Sequence, residues 1–505
     1  MSIKTFCIFF LAVILFAAVL HFGYSIRPEA DQLYHFRHAE IYLENGIFNS
    51  DFPWLPYSVI GKYGADIWYG FHLLLVPFTF FEDPILGLRF AGIFITSLLL
   101  LIFYWALNRL GVEKKYIWPF LFLFSGFFSL FHMTTVRPHV LSLAFNILVF
   151  SFAITGSVWG VLGASFAVVF LHLSLFWSTL LILGALAVSK FISKKSFDFR
   201  IILFSIGGLV LGWLARPNPL GAAKLAYIQI VELMLIKSKG IPLNFGLELY
   251  PLGWQTLYLF LPFMILWALA IYVFLKQSKK GLILWSSFFL SAVFFLMTVF
   301  VAQRSFDFWA AFGVIFIASV LGGSGANASL PPLAREKKIA IWAIAAVSAV
   351  FMAGQSLYKN DRFLKISGWE PGRFQKAGEW LKNNSRPGDI VFNASWDYFP
   401  ELFFWNSRNF YISGMDPIFQ YAFDRKLYWE AYYLETGKTT GFTCPDIACD
   451  EKDLKNTYAV LKNDFKAHYL VLAKPEDEHL YKYLLGDARF LLKNETPRSA
   501  VFELK

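Results

Sequence analysis

The sequence predicts a mainly α-helical polytopic membrane protein with about eleven transmembrane helices and a C-terminal α/β soluble domain. Three observations predict it. The 505 residues are 57% hydrophobic, 19% aromatic and only 16% charged, with a mean hydropathy of +0.53, more apolar surface than one soluble core can bury. Apolar stretches near the roughly 20 residues that a bilayer core demands recur through the first two thirds of the chain. Charge is divided unevenly: residues 1–356 carry 24 Lys+Arg against 14 Asp+Glu, leaving 21 of each, from totals of 45 and 35, for residues 357–505.

The same numbers exclude disordered, collagen-like, coiled-coil and disulfide-scaffold classes, and three cysteines allow at most one bridge. The whole net charge of +10 lies in the apolar part. It reads as loop charge that orients helices, with no basic run beside the aromatic and glycine patterning of a nucleic-acid module.

Long apolar stretches fall at 5–24, 85–107, 116–132, 256–276, 282–302, 306–322 and 339–356, and shorter ones free of charge at 139–155, 158–173, 175–190 and 201–215. Ile67–Phe81 is ambiguous, entered through Asp66 and left through Glu82-Asp83-Pro84. If it does not cross, Lys4, the Arg109/Lys114/Lys115 loop, Lys190/Lys194/Lys195/Arg200, Lys276/Lys279/Lys280 and Arg335/Lys337/Lys338 all fall on the cytoplasmic side, as the positive-inside rule requires. Ile67–Phe81 is therefore read as a juxtamembrane or re-entrant helix, with the N-terminus cytoplasmic and residues 357–505 extracytoplasmic in the plasma (inner) membrane. Thr5–Tyr24 is read as a retained anchor because no small-x-small cleavage site precedes His21-Phe22-Gly23-Tyr24. Gly322 to Pro332 is the one linker-like tract.

The domains are then residues 1–356, with a first external loop at 25–84, and residues 357–505. In the latter, helices are expected at Arg373–Lys382, Ile418–Glu435 and Asp453–Phe465, and strands at Asp389–Ala394, Phe410–Ser413 and His468–Ala473.

Candidate chemistry lies in loops beside the membrane. The first loop carries Asp31-Gln-Leu-Tyr-His-Phe-Arg-His-Ala-Glu40, which places Asp31, His35 and Arg37 at the lipid boundary, though a solvated loop with interfacial aromatics has the same composition. Asp31 directly after the first span, then His35 and Arg37 on a helix, then Asp51-Phe-Pro-Trp54 and the turn at Gly61 and Gly64, resembles the first external loop of GT-C glycosyltransferases. It is most similar to the catalytic subunit of oligosaccharyltransferase and to the group of polyprenyl-phosphate-sugar-dependent protein mannosyltransferases and aminoarabinose transferases. The resemblance implies that Asp31 is the catalytic carboxylate and that transfer is inverting. The family also uses a divalent metal, Mg or Mn; here Asp31 is the one candidate ligand, and such a metal is expected to be unnecessary or held weakly through Asp31 alone.

The next external loop, His132-Met-Thr-Thr-Val-Arg137-Pro138-His139, departs from the family. An acid stands in the family near where His139 stands here, and hard cations want several oxygen ligands. Arg137 with His139, a candidate catalytic residue, suits a phosphate better; a hydrogen-bonded His132–His139 pair at a helix end is the plain alternative. Arg304 is the position that inherits the family's phosphate-holding arginine, with an Arg304–Asp307 ion pair as its alternative. The loop from Arg216 to Gln255 reads as a lid that offers Glu232 and Glu248 as further acids.

In the soluble domain, Trp396-Asp397-Tyr398 after a strand is similar to the Trp-Trp-Asp-Tyr-Gly motif by which oligosaccharyltransferases read the acceptor. The first Trp is Ser395 here and the Gly is Phe399. Core aromatics with Asp397 as a helix cap explain the same residues. Cys444 and Cys449 suggest a disulfide in an oxidising compartment, since zinc would need two further ligands.

The sequence thus implies a membrane glycosyltransferase that moves a sugar or oligosaccharide from a polyprenyl phosphate or diphosphate carrier to a protein, lipid or glycan acceptor at the outer membrane face. The expected partners are that lipid-linked donor and membrane lipid, with no nucleic acid. A transporter or flippase of a lipid-linked sugar is the rival; it is disfavoured because charges sit at loop boundaries and hardly at mid-bilayer depth, where translocation sites lie. An inactive partner of a cell-wall complex is a third reading.

Overall fold

The computed structural model describes residues 3–23, 29–196, 198–323, 335–366 and 372–505; most of the linker-like tract lies outside them. Among the described residues, eight helices are long and apolar enough to cross a membrane: Pro84–Arg109, Pro138–Thr155, Leu173–Ile192, Pro219–Ser238, Trp254–Lys276, Leu282–Phe300, Gln303–Leu321 and Ile339–Phe363. The polytopic helical architecture with a C-terminal α/β domain holds, and shorter apolar helices stand beside these eight. Val158–Leu171 and Arg200–Leu214 are apolar helices of under 18 residues, and Phe6–Phe22 is the apolar part of the 20-residue helix Ile3–Phe22. The stretch 116–132 is two short helices, Trp118–Leu123 and Phe127–His132, with a break at Gly126. A Cβ there would lie 3.1 Å from the Phe260 and Phe306 rings, so the aromatics close over bare backbone. Pro219–Ser238, expected to be loop, qualifies by length and composition. Tyr69–Phe80, inside the ambiguous stretch, is about 18 Å long at 1.5 Å per residue, short of a roughly 30 Å core.

The chain forms two compact units. The first comprises Met1–Arg27, Phe81–Ala215 and Leu247–Gly368, the second Pro28–Phe80, Arg216–Gly246 and Trp369–Lys505. The change of composition read at Leu357 falls inside a helix that continues to Ile366.

In the first unit, every residue of Phe306–Leu321 is buried. A helix that is apolar all round belongs at a centre, and this one packs against Leu282–Phe300 and Leu261–Lys276. The closest pairing is between Val158–Leu171 and Arg200–Leu214. Ser205, Gly208 and Gly212 share a face one and two turns apart; Ser205 and Ser165 hydroxyls hydrogen-bond at 2.8 Å. The positions for a Cβ on Gly208 and Gly212 lie 2.3 and 2.5 Å from the Leu162 and Phe166 carbonyl oxygens. Small residues let the backbones approach, which in lipid replaces the hydrophobic drive to associate.

The second unit is built on a five-stranded sheet. Strands β1 (Ile390–Asn393), β2 (Phe410–Tyr411), β5 (Ala467–Ala473), β6 (Phe490–Glu495) and β7 (Ser499–Leu504) take the order β2-β1-β5-β7-β6; β3 (Phe442–Thr443) and β4 (Lys455–Asn456) form a separate hairpin ladder. β1 is parallel to β2 and β5, with Val391 opposite Tyr411 and Tyr469, and β7 is antiparallel to β5 and β6. β6, β7 and the helix Glu478–Gly486 were not anticipated. The expected helix Ile418–Glu435 is interrupted at Asp424, whose carboxylate accepts from the Lys426 and Leu427 amides and starts a new helix. The expected helix Asp453–Phe465 is β4, one short turn and a π-helical turn at Val460–Asp464. Cys444 and Cys449 are joined in a disulfide, Cα atoms 5.9 Å apart.

The first loop belongs to this unit. Its helix Asp31–Asn45 packs against Phe399–Trp405. Arg37 donates to Ser407 Oγ at 2.8 Å, and the Tyr411 amide donates to the Trp54 carbonyl at 2.8 Å.

Gly208→Leu drives a side chain into the Leu162 carbonyl and parts the two helices. The expected cost is about 1–3 kcal/mol, typical of overpacking, read as a lower melting temperature of the detergent-solubilised protein. An unchanged melt contradicts the close crossing.

Candidate functional site

The first unit gathers six polar side chains at the ends of its helices and in the turns between them. Arg137 precedes Pro138 and is extended, as a residue before proline must be. His139 is the second residue of Pro138–Thr155, Asp307 the second of Phe306–Leu321, and His132 closes Phe127–His132. Arg304 lies in the turn Gln303–Ser305 and Glu248 in the turn Leu247–Leu249.

The guanidiniums of Arg304 and Arg137 converge on one carboxylate, Glu248, at 3.0 and 3.6 Å. Burial works against ionisation of Glu248, yet the two arginines hold its pKa down at about 2. The expected Arg304–Asp307 pair does not form. Arg304 stays in the turn with 31% of its side chain exposed, while Asp307 turns inward at 3% and accepts from His132 Nδ1 at 3.0 Å, with His139 Nε2 at 3.9 Å. His132 and His139 meet through Asp307, not as a bonded pair.

The second unit carries Asp31 at the start of Asp31–Asn45, partly exposed. Below it lies a buried network that sequence reasoning missed. His35 Nδ1 meets His72 Nε2 at 2.8 Å; His72 Nδ1 donates to Asp66 Oδ2 at 2.6 Å; the Tyr42 hydroxyl donates to the same oxygen at 2.7 Å and the Trp68 amide to Oδ1 at 2.7 Å. Arg216 donates to the Asp66 carbonyl at 2.9 Å. Burial pushes the His38 pKa down, helped by His72 and opposed by Asp66, to about 3. Arg37, expected to bind substrate, ties Glu40, Glu44 and Ser407 together.

Trp396, Asp397 and Tyr398 form a single turn after β1. Trp396 Nε1 donates to the Asn244 carbonyl at 3.0 Å, and the buried Tyr398 donates to Asp477 at 3.1 Å beneath the Arg373 guanidinium. Asp477 and Glu435 complete an acidic group at the carboxyl ends of the parallel strands. Burial raises Glu435 to about 8, with Asp397 and Asp477 adding to the effect, and raises Asp477 to about 7. No local motif marks Glu435 or Asp477; only the sheet brings them to Asp397.

Two groups among the described residues have the donors and spacing to hold a metal ion: His38, Asp66 and His72, and His132, His139 and Asp307, each with ligand atoms within 4.8 Å of one another. Neither includes Asp31.

No family model and no curated protein sequence matches the chain. Solved structures do match. Arabinofuranosyltransferase AftD from Mycobacteria superposes with a TM-score of 0.55 at 12% identity over 100% of this chain. ArnT from Cupriavidus metallidurans superposes with a TM-score of 0.58 in the apo state and 0.56 bound to undecaprenyl phosphate, at 11% identity over 99% of this chain and 98% of ArnT. The chain has the GT-C glycosyltransferase fold. It spans 40% of the length of AftD and nearly all of ArnT. The resemblance first carried by the Asp31 loop therefore holds for the fold along the whole chain.

Acid should loosen the second unit. The His38 imidazole takes up a proton below about 6.5 in the unfolded chain but only near 3 in the folded one, so stability falls as pH drops through that window. Asp66, held below the usual carboxylate range, adds a further loss below about pH 4. The melting temperature is expected to fall between about pH 7.5 and pH 5 in the wild type, and to fall less in His38→Gln. Equal slopes would remove His38 as the cause.

Proposed function

We propose that the protein is a membrane glycosyltransferase that takes a sugar or oligosaccharide from a polyprenyl phosphate or diphosphate carrier. The observation that carries this reading is the convergence of Arg137 and Arg304 on one carboxylate at the helix starts, a ready-made anion cradle. Two guanidiniums aimed at a single anion match phosphate oxygens as well as a carboxylate. The fold supports it: one matching structure is ArnT bound to undecaprenyl phosphate, which has the chemistry proposed for this donor.

In the proposed reaction the acceptor heteroatom bonds to the anomeric carbon as the bond from that carbon to the phosphate oxygen breaks. The leaving phosphate keeps the electron pair and is stabilised by Arg137 and Arg304. Asp31 orients the acceptor and takes its proton, with inversion at the anomeric carbon following from a single displacement. His139 lies beside the phosphate end. Trp396, Asp397 and Tyr398, with Glu435 and Asp477, are assigned to the acceptor, whose class stays open among protein, lipid and glycan. The positive-inside distribution puts the N-terminus in the cytoplasm and residues 357–505 outside.

Asp31→Asn keeps the shape and removes the charge; turnover is expected to fall by about 100-fold or more, with Glu40→Gln near wild type. Wild-type turnover in Asp31→Asn would move the catalytic carboxylate elsewhere. Arg137→Gln and Arg304→Gln should each raise the KM for the lipid donor about tenfold, the worth of one charged hydrogen bond, and leave the acceptor KM unchanged. Equal effects on both substrates contradict the phosphate assignment. Topology is read separately: a Lys114→Cys variant is expected to resist an impermeant thiol reagent in intact cells, and labelling from outside inverts the orientation.

A further inference from the structure

We propose that Glu248 is a resident anion: at rest it fills the cradle of Arg137 and Arg304 and keeps the phosphate of bulk anionic phospholipid out, and it gives way when the lipid-linked donor binds; this last step rests on the function proposed above. The two carboxylate oxygens face one guanidinium each. Arg304 Nη1 donates to Oε1 at 3.0 Å, and Arg137 Nη1 stands 3.6 Å from Oε2. A phosphate presents two of its oxygens to a pair of guanidiniums in the same manner, so Glu248 occupies the position that a lipid headgroup phosphate would take.

Of the three partners, the acid is the one placed to move. Arg137 is buried, and Pro138 commits its backbone to the extended form. Arg304 lies in the turn that leads into Phe306–Leu321, the helix buried along its whole length. Glu248 sits on the three-residue turn Leu247–Leu249, in which no residue is buried and Leu247 is 79% exposed. Beyond the turn, the Gln303 amide donates to the Tyr250 carbonyl at 2.8 Å and the Leu252 amide to the Thr298 carbonyl at 3.0 Å. The chain is thus fastened beside the arginines while no buried side chain anchors the turn itself, which is the condition for local opening.

The need for such a group follows from the setting. Bulk phospholipid outnumbers any lipid-linked sugar, and guanidiniums pair with the phosphate of either. A carboxylate on the protein's own chain competes at the high effective concentration of a short tether. Its charge persists across the physiological range, because the arginines hold its pKa at about 2. Competition of this kind weakens every phosphate ligand by the fraction of time the cradle stands open. While the closed form dominates, a further competitor in the bilayer adds little. With the carboxylate removed, that competitor becomes the main one, so Glu248 acts as a built-in rival to unwanted phosphates in the resting site.

The test uses the full chain in nanodiscs of phosphatidylcholine, with or without phosphatidylglycerol, at rising mole fractions of undecaprenyl phosphate, with bound lipid counted by native mass spectrometry. In phosphatidylcholine, Glu248→Gln is expected to bind undecaprenyl phosphate about tenfold more tightly than the wild type. Phosphatidylglycerol should weaken that binding by less than about twofold in the wild type and by about tenfold in the variant. Without undecaprenyl phosphate, Glu248→Gln should melt below the wild type in phosphatidylcholine, and adding the lipid should restore the difference, which loss of a merely structural contact would not allow. Glu82→Gln, at an exposed acid of the same unit, should follow the wild type throughout. If Glu248→Gln fails to fold, Glu248→Ala carries the same expectations. Binding in the variant equal to or weaker than wild type in phosphatidylcholine, or phosphatidylglycerol acting equally on both proteins, overturns the proposal and leaves the transferase reading standing. Absence of binding in wild type and variant alike overturns the proposal and the donor assignment together.

Discussion

An ionisable side chain at the edge of an apolar helix bundle must find a partner, because the surrounding medium offers little solvation. That constraint organises the first unit. Arg137, Arg304, Glu248 and Asp307 stand at the starts of helices or in the turns between them, where backbone amides are also unpaired. The two arginines settle on Glu248 and leave Asp307 to the histidines. The division separates an anion-seeking half from a cation-seeking half within one cluster.

The second unit solves the same problem by a different route. Asp66 is wrapped by His72, Tyr42 and the Trp68 amide, while Arg216 reaches across from another stretch of chain to its carbonyl. The network pins the helix carrying Asp31 to the segment that follows it, and the Arg37 and Trp54 contacts pin both to the C-terminal sheet. Three stretches distant in sequence become one body.

The helices were legible because hydropathy over a bilayer thickness is a strong signal, and Asp31, Arg137, His139 and Arg304 stood out as polar groups beside apolar runs. Partnerships were less so. Asp307 lies three residues from Arg304 and invites a local pair, but the helix starting at Phe306 turns the acid inward and the arginine stays in the turn. Glu248 stood only as one of two further acids in its loop, because its partners are 56 and 111 residues away in the numbering. Asp66 was read only as the entry to a juxtamembrane or re-entrant segment that contains His72, since no periodicity shows that His38 packs against them. β6 and β7 escaped notice because Lys493, Glu495 and Glu503 interrupt their apolar positions, while their pairing along β5 supplies the burial that alternation alone did not reveal.

The fully buried helix Phe306–Leu321 has a mechanical consequence. With neighbours on every side, it has no exposed surface on which to slide or tilt, and the carboxylate at its second position is held with it. Glu248, by contrast, sits on a single short turn and Arg304 on the link that leads into the helix. The cluster is therefore asymmetric in compliance. Any movement within the cluster falls to the Glu248 side, where a three-residue turn carries the carboxylate.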